Sequence, residues 1–198
     1  MFTKRYLLWI YTINHYFRNL KHFKIDKNGK LEMKGVGNAS CETFRKAIEN
    51  NESQKYLFAG WLNGYITGQY QHWPETFDVS SWETVETLSN YIYHYCGKNQ
   101  KLSYFQASTQ TLNELFENRI SEFVGAEEVY VNGAAVNVYK QVVIDVQEAL
   151  TELGLFKGPV DGSLSEELYQ ALMTFNRKNS ISSESYFDQR TLHKLLRR

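Results

Sequence analysis

The chain of 198 residues contains only two prolines and two cysteines, and it has no surplus of either charge. The scarcity of proline, beside a 42% apolar fraction, excludes a disordered or proline-rich linker protein, because there is enough apolar side chain to bury a core. Twenty-two acidic and 22 basic side chains cancel, so no global field draws the chain to nucleic acid or to an anionic surface. No Cys-x-x-Cys pair or Cys/His cluster occurs, which speaks against zinc. No apolar run approaches the ~20 residues that a spanning helix needs. What is abundant is aromatic: 14 Tyr and 12 Phe suit small helical cores and also surfaces that stack on sugars, so they do not choose between the two. Length alone favours two small domains over one.

The N-terminus, "MFTKRYLLWIYTI", begins like a secretory signal, with Lys4 and Arg5 ahead of an apolar run from Tyr6 to Ile13. The run then gives way to "NHYFRNLKHFK" with no small-residue cleavage site close behind. As a helix it gathers Phe2, Tyr6, Trp9, Ile13, Phe17 and Leu20 on one side, with Arg5, Arg18, Lys21 and Lys24 adding basic charge. Residues 1–24 therefore fit three descriptions: a degenerate leader, a membrane-surface or partner anchor, and a wrongly assigned start.

After a Gly/Asn/Lys-rich linker the pattern turns helical. Ser40 is placed to cap a helix carrying Phe44, Ala47 and Ile48. In "QKYLFAGWLNGYITGQY", Gly60, Gly64 and Gly68 recur every four residues, which predicts a groove admitting a second helix at close range. Pro74 and Asp78 mark a loop, Ser80 and Glu83 have capping-box spacing, and Val85, Leu88, Ile92 and Tyr95 form the next stripe. Phe105, Thr109, Leu112, Phe116 and Ile120 outline a last long helix. Cys41 and Cys96 are compatible with one disulfide, which would tie two ends of a four-helix bundle, or with two unrelated buried thiols; spacing does not choose.

The region from Cys41 to about Ile120, with its two cysteines, Gly/Trp/Tyr-rich second helix and Asp78 before the third, resembles small secreted helical domains of acid-chaperone (HdeA-like) or secretion-immunity (Tai-like) type. The resemblance implies a Cys41–Cys96 disulfide and an extracytoplasmic home; it implies no activity. Next, "EEVYVNGAAVNVYKQ" sets Val129, Val131, Val136 and Val138 around the turn dipeptide Asn132-Gly133, a short hairpin that needs a neighbour to pack on.

The last sixty residues are the most regular. Val143, Val146, Leu150 and Leu153 form one helix face ending at Gly154; Leu168, Ala171, Leu172 and Phe175 form a second; Leu192, Leu195 and Leu196 form a third. Between the first two lies "GLFKGPVDGS", where glycines supply unusual backbone angles and Asp161 can bond its own following backbone. "VVIDVQEALTELGLFKGPVDGSLSEELYQALMTFNRKNSI…FDQRTLHKLL" resembles the bacterial three-helix peptidoglycan-binding domain, matching at Val143, Val146, Gln147, Leu150, Leu153, Gly154, Gly158, Asp161, Gly162, Ala171, Leu172, Phe175, Ile181, Thr191 and Leu195. It departs from that family's pattern at Ser165, Ser180 and Ser185, which stand for glycines, at Leu168 for Thr, and at Asn176 for Gln. Ser165 remains a good helix cap, whereas Leu168 and Asn176 weaken the case that the ligand groove is unchanged.

The fold expected is mainly α: an N-terminal disulfide-linked helical bundle and a C-terminal three-helix peptidoglycan-binding-like domain, joined by a short β-hairpin. The expected segments are 1–38 (extension), 39–124 (bundle), 127–140 (hairpin) and 141–198 (wall-binding-like domain). No catalytic constellation is visible. The five histidines (15, 22, 72, 94 and 193) are scattered, neither cysteine has a transpeptidase context, and Glu52-Ser53 lacks the companions of a transglycosylase acid. The chain is expected to be a non-catalytic periplasmic or cell-envelope protein without cofactor or metal. Its expected ligand is peptidoglycan or a muropeptide, touched by Phe156, Asp161, Tyr169 and Asn176, with the bundle contacting an envelope-assembly or secretion-system protein. The alternative is an exported immunity protein or adaptor in which the C-terminal module is only a scaffold.

Overall fold

The computed structural model describes residues 27, 31–131, 133–182, 185 and 187–197. The chain divides into two units, Met1–Gly35 and Val36–Arg198. The first unit is described only at residue 27 and from residue 31 on, without helix or strand before Gly35. The basic aromatic segment 1–24, expected to be a leader or surface anchor, lies outside the described residues, as does Asn132 of the hairpin turn. Among the described residues no helix is long and apolar enough to cross a membrane.

The second unit opens with four helices: α1 (Cys41–Asn50), α2 (Glu52–Tyr70), α3 (Val85–Lys98) and α4 (Tyr104–Leu115). Each begins at a small polar residue whose side chain takes up an otherwise unpaired backbone N–H. Ser40 accepts from Thr43, Asn51 from Gln54 and Thr84 from Thr87, while Ser103 and Gln106 form a reciprocal capping box. Phe44, Phe58 and Tyr104 meet at the centre with ring centroids 4.5–5.1 Å apart, joining α1, α2 and α4. Cys41 and Cys96 are disulfide-bonded with Cα atoms 5.0 Å apart, which fastens the start of α1 to the end of α3.

Three local expectations are corrected here. Gly60 and Gly64 are exposed and Gly68 is half-buried, and a Cβ added at any of them would meet nothing within 4 Å, so no helix among the described residues packs on this face of α2. The face that packs carries Phe58, Leu62 and Ile66, because large side chains bury more apolar area than glycines do. Ser80 and Glu83 do not cap α3: Ser80 bonds Asp78, and Glu83 is buried against Arg197. Finally, α4 ends at Leu115 and Ile120 lies beyond it, pairing with Asp78 in an antiparallel bridge.

Two strands follow, β1 (Ala126–Val131) and β2 (Ala134–Tyr139), antiparallel with Val129 opposite Val136. Val129 and Val138 are buried whereas Tyr130 and Val136 are exposed, so the hairpin packs through part of each strand and leaves the rest open. Three helices complete the chain: α5 (Lys140–Glu152), α6 (Glu166–Lys178) and α7 (Gln189–Leu196). Their core joins Val142, Val143, Val146, Leu150, Leu168, Leu172, Phe175, Leu192 and Leu195 to Ile120, Val129 and Val138, with Trp82 packed against it. The hairpin thus finds the neighbour it requires in the C-terminal helices.

Candidate ligand-binding site of the C-terminal module

The module is built around a turn that α5 holds in place. At the end of α5, Gly154 adopts φ 68°, the left-handed conformation that glycine enters without penalty. The reversal lets the N–H groups of Leu155 and Phe156 both donate to the Leu150 carbonyl, at 2.9 and 3.2 Å. Leu153, expected on the core face, is 41% exposed, because the reversal starts there and turns it outward. The chain then drives Phe156 into the core, where its ring lies so close to Gly158 that a Cβ there would stand 2.6 Å from Cζ.

Gln147, nearly fully buried on α5, fixes the rest of the turn. Its Oε1 accepts from the N–H groups of Asp161 at 3.0 Å and Gly162 at 2.9 Å, and its Nε2 donates to the Ser163 carbonyl at 3.0 Å. Gly162, with φ 75°, passes so close to Lys140 that a Cβ would lie 2.5 Å from its Cγ. Asp161 accepts from the Ser163 N–H at 2.8 Å, and that backbone bond holds its carboxyl below the ordinary range. Ser165 then caps α6 by accepting from the Leu168 N–H at 3.1 Å. The turn and the helix behind it are therefore one unit: one glutamine side chain satisfies three backbone groups that the tight path leaves without helical partners.

The residues expected to touch ligand separate by burial. Phe156 and Asn176 are each 2% exposed; Phe156 fills the core, and Asn176 Oδ1 accepts from the Thr191 hydroxyl at 2.8 Å, joining α6 to α7. Asp161 is exposed and Tyr169 half-buried. Phe156 and Asp161 share the turn, whereas Asn176 lies two helical turns along α6 from Tyr169, about 10 Å away.

A concavity that the sequence did not announce lies at the other end of the module. Leu153, Leu155, Phe175, Lys178, Asn179, Lys194 and Arg197 line a space of about 470 Å³, within the range of small-ligand sites. The only hint in the sequence was a leucine just past the last turn of a helix. Arg197 at its rim donates through both Nε and Nη2 to Glu83 Oε1, and the Glu83 side chain is fully buried. Around this pair the module is fastened to the bundle. Gln189 donates to the Trp82 carbonyl at 2.7 Å and accepts from Thr87 Oγ1 at 2.6 Å and the Thr84 N–H at 3.2 Å, while Tyr91 Oη and His193 Nδ1 stand 2.8 Å apart. Burial, and then the Glu83 charge, push the Tyr91 hydroxyl up to about 12.

Residues 140–195 match the family described as "Putative peptidoglycan binding domain". The match spans α5, the Gln147-held turn, α6 and most of α7. No curated protein and no solved structure matches the chain. A peptidoglycan-binding domain and a disulfide together suggest a cell-envelope or periplasmic location.

Proposed function

We propose that the chain is a non-catalytic cell-envelope protein whose C-terminal module holds peptidoglycan while the disulfide-linked bundle is presented to a protein partner. The observation that carries this reading is the family match over 140–195, supported by the turn and caps that the module needs. A periplasmic home agrees with the Cys41–Cys96 bond, since disulfides persist in oxidising compartments. Asp161 and Tyr169 keep surface available on the turn side of the module. Co-sedimentation of the purified full chain with insoluble peptidoglycan tests the reading: enrichment in the pellet over a cellulose control is expected, and its absence refutes wall binding. Release of soluble muropeptides during the incubation would refute the non-catalytic part.

The adaptor alternative has one observation in its favour. Gln189 and His193 of α7 and Arg197 just after it all bond to the bundle, so part of the module already serves an internal protein contact. Capture of a partner by a chain that leaves peptidoglycan unbound would favour it.

A further inference from the structure

The geometry points to a second recognition element: the concavity between the ends of α5, α6 and α7 takes a carboxylate-bearing peptide segment with short aliphatic side chains, the chemistry of the peptidoglycan stem peptide. This inference rests on the reading that the module holds peptidoglycan. One wall of the space is apolar, from Leu153, Leu155 and Phe175; the rest is Lys178, Asn179, Lys194 and Arg197, so three cations and, among the described residues, no carboxylate line it. Arg197 is committed to Glu83, whereas Lys178 and Lys194 form no ion pair among the described residues. Both lysines belong to the last turns of their helices, where the dipole favours a cation. That accounts for their charge, but not for an exposed leucine facing the same space. Asn179 Nδ2 donates one of its two N–H groups to the Phe175 carbonyl at 2.9 Å, so the lysines are the charged donors left to meet a ligand.

The lining favours peptide over glycan. A sugar presents hydroxyls that need acceptors as well as donors, and it stacks on open aromatic faces; Phe175, the one aromatic in the lining among the described residues, is almost completely buried. A stem peptide offers methyl and methylene groups for the leucines and free carboxylates for the lysines. Charge-assisted bonds of this kind are the strong ones, and at an exposed site they weaken with salt.

The test uses the labelled full chain, titrated with a soluble disaccharide-tetrapeptide, with the same compound after its carboxylates are converted to amides, and with peptide-free glycan. Shifts at the amides of Leu153, Leu155 and Lys194 are expected for the first ligand. Binding should weaken about tenfold or more after amidation, and by a similar factor in Lys178→Ala/Lys194→Ala. Leu153→Asp, which leaves both lysines in place and alters an exposed residue, should weaken it as well, with thermal melts confirming that both variants fold. If the wild type pellets with peptidoglycan and the lysine variant does so within about twofold, the inference about this concavity falls while the wall-binding reading stands. If the wild type does not pellet, both fall. Glycan-only binding, or capture on phosphatidylglycerol vesicles in place of the muropeptide, overturns the inference too.

Discussion

Gln147→Ala should loosen the Gly154–Ser165 turn far more than a single side-chain deletion usually does. The substitution removes the acceptor of the Asp161 and Gly162 N–H groups and the donor to the Ser163 carbonyl. Asp161 and Ser163 are exposed, so water replaces part of what they lose. Gly162 is buried, and its N–H is left without a partner. That orphan costs about 2 kcal/mol, and the two exchanged bonds add roughly 0.5 kcal/mol each. The space vacated by a side chain at 1% exposure brings the total to about 3–4 kcal/mol. For a unit of this size the melting temperature should fall by about 6–16 °C. Gln147→Leu refills much of the space but restores no bond, so it should recover less than half of the loss. Amide hydrogen exchange locates the effect: protection at Gly162 should drop in both variants. An unchanged exchange rate at Gly162, or a fall in melting temperature below about 2 °C, would refute the claim that this glutamine holds the turn.

Reduction of the Cys41–Cys96 bond should lower the stability of the bundle by about 4 kcal/mol, from the entropy of closing a loop with a sequence separation of 55; equal denaturant midpoints with and without reductant would sink this. Arg197→Ala leaves the buried Glu83 carboxylate uncompensated and should cost about 3–5 kcal/mol, with Glu83→Gln/Arg197→Ala recovering part of it; denaturant unfolding of the single and double variants checks this. Ser180 is a non-glycine residue at φ 55°, so Ser180→Gly should stabilise by about 0.5–1 kcal/mol, read as a higher melting temperature; a lower one would count against backbone strain there. Because the Asp161 carboxyl is held below its ordinary value, its contribution to stability is present above that value and is lost as pH falls through the folded one. Asp161→Asn should therefore flatten the acid limb of the stability profile, and an identical limb would refute it.

Much of the module was legible because its signals are local. The stripe Val143, Val146, Leu150 and the stripe Leu168, Ala171, Leu172, Phe175 need only helical periodicity, and both are buried. Ser40 and Ser165 cap helices because a hydroxyl reaches the N–H three residues on, which sequence distance alone guarantees. Leu153 failed the same periodicity, since the left-handed Gly154 ends the helix under it. Gly60, Gly64 and Gly68 failed for another reason: spacing places residues on one face of a helix but does not say whether that face is covered. The functional residues were harder still. Phe156 and Asn176 carry chemistry suited to a ligand, and an aromatic ring or an amide is equally suited to fill or bridge a core, as both do here.

By itself the sequence determined the helical class, the hairpin, the C-terminal three-helix module and the helix that Ser165 caps, all from patterns that close within a few residues. Spacing left the two cysteines open and a family resemblance implied their disulfide; tertiary structure bears it out by bringing the two Cα atoms to 5.0 Å. It also decided that Glu83 meets Arg197 rather than capping a helix, that Ile120 pairs with Asp78, and that two lysines and an outward leucine share one concavity. Each of these depends on where separate helices end relative to one another. That placement is set by the packing of the whole core, and no local run of residues encodes it.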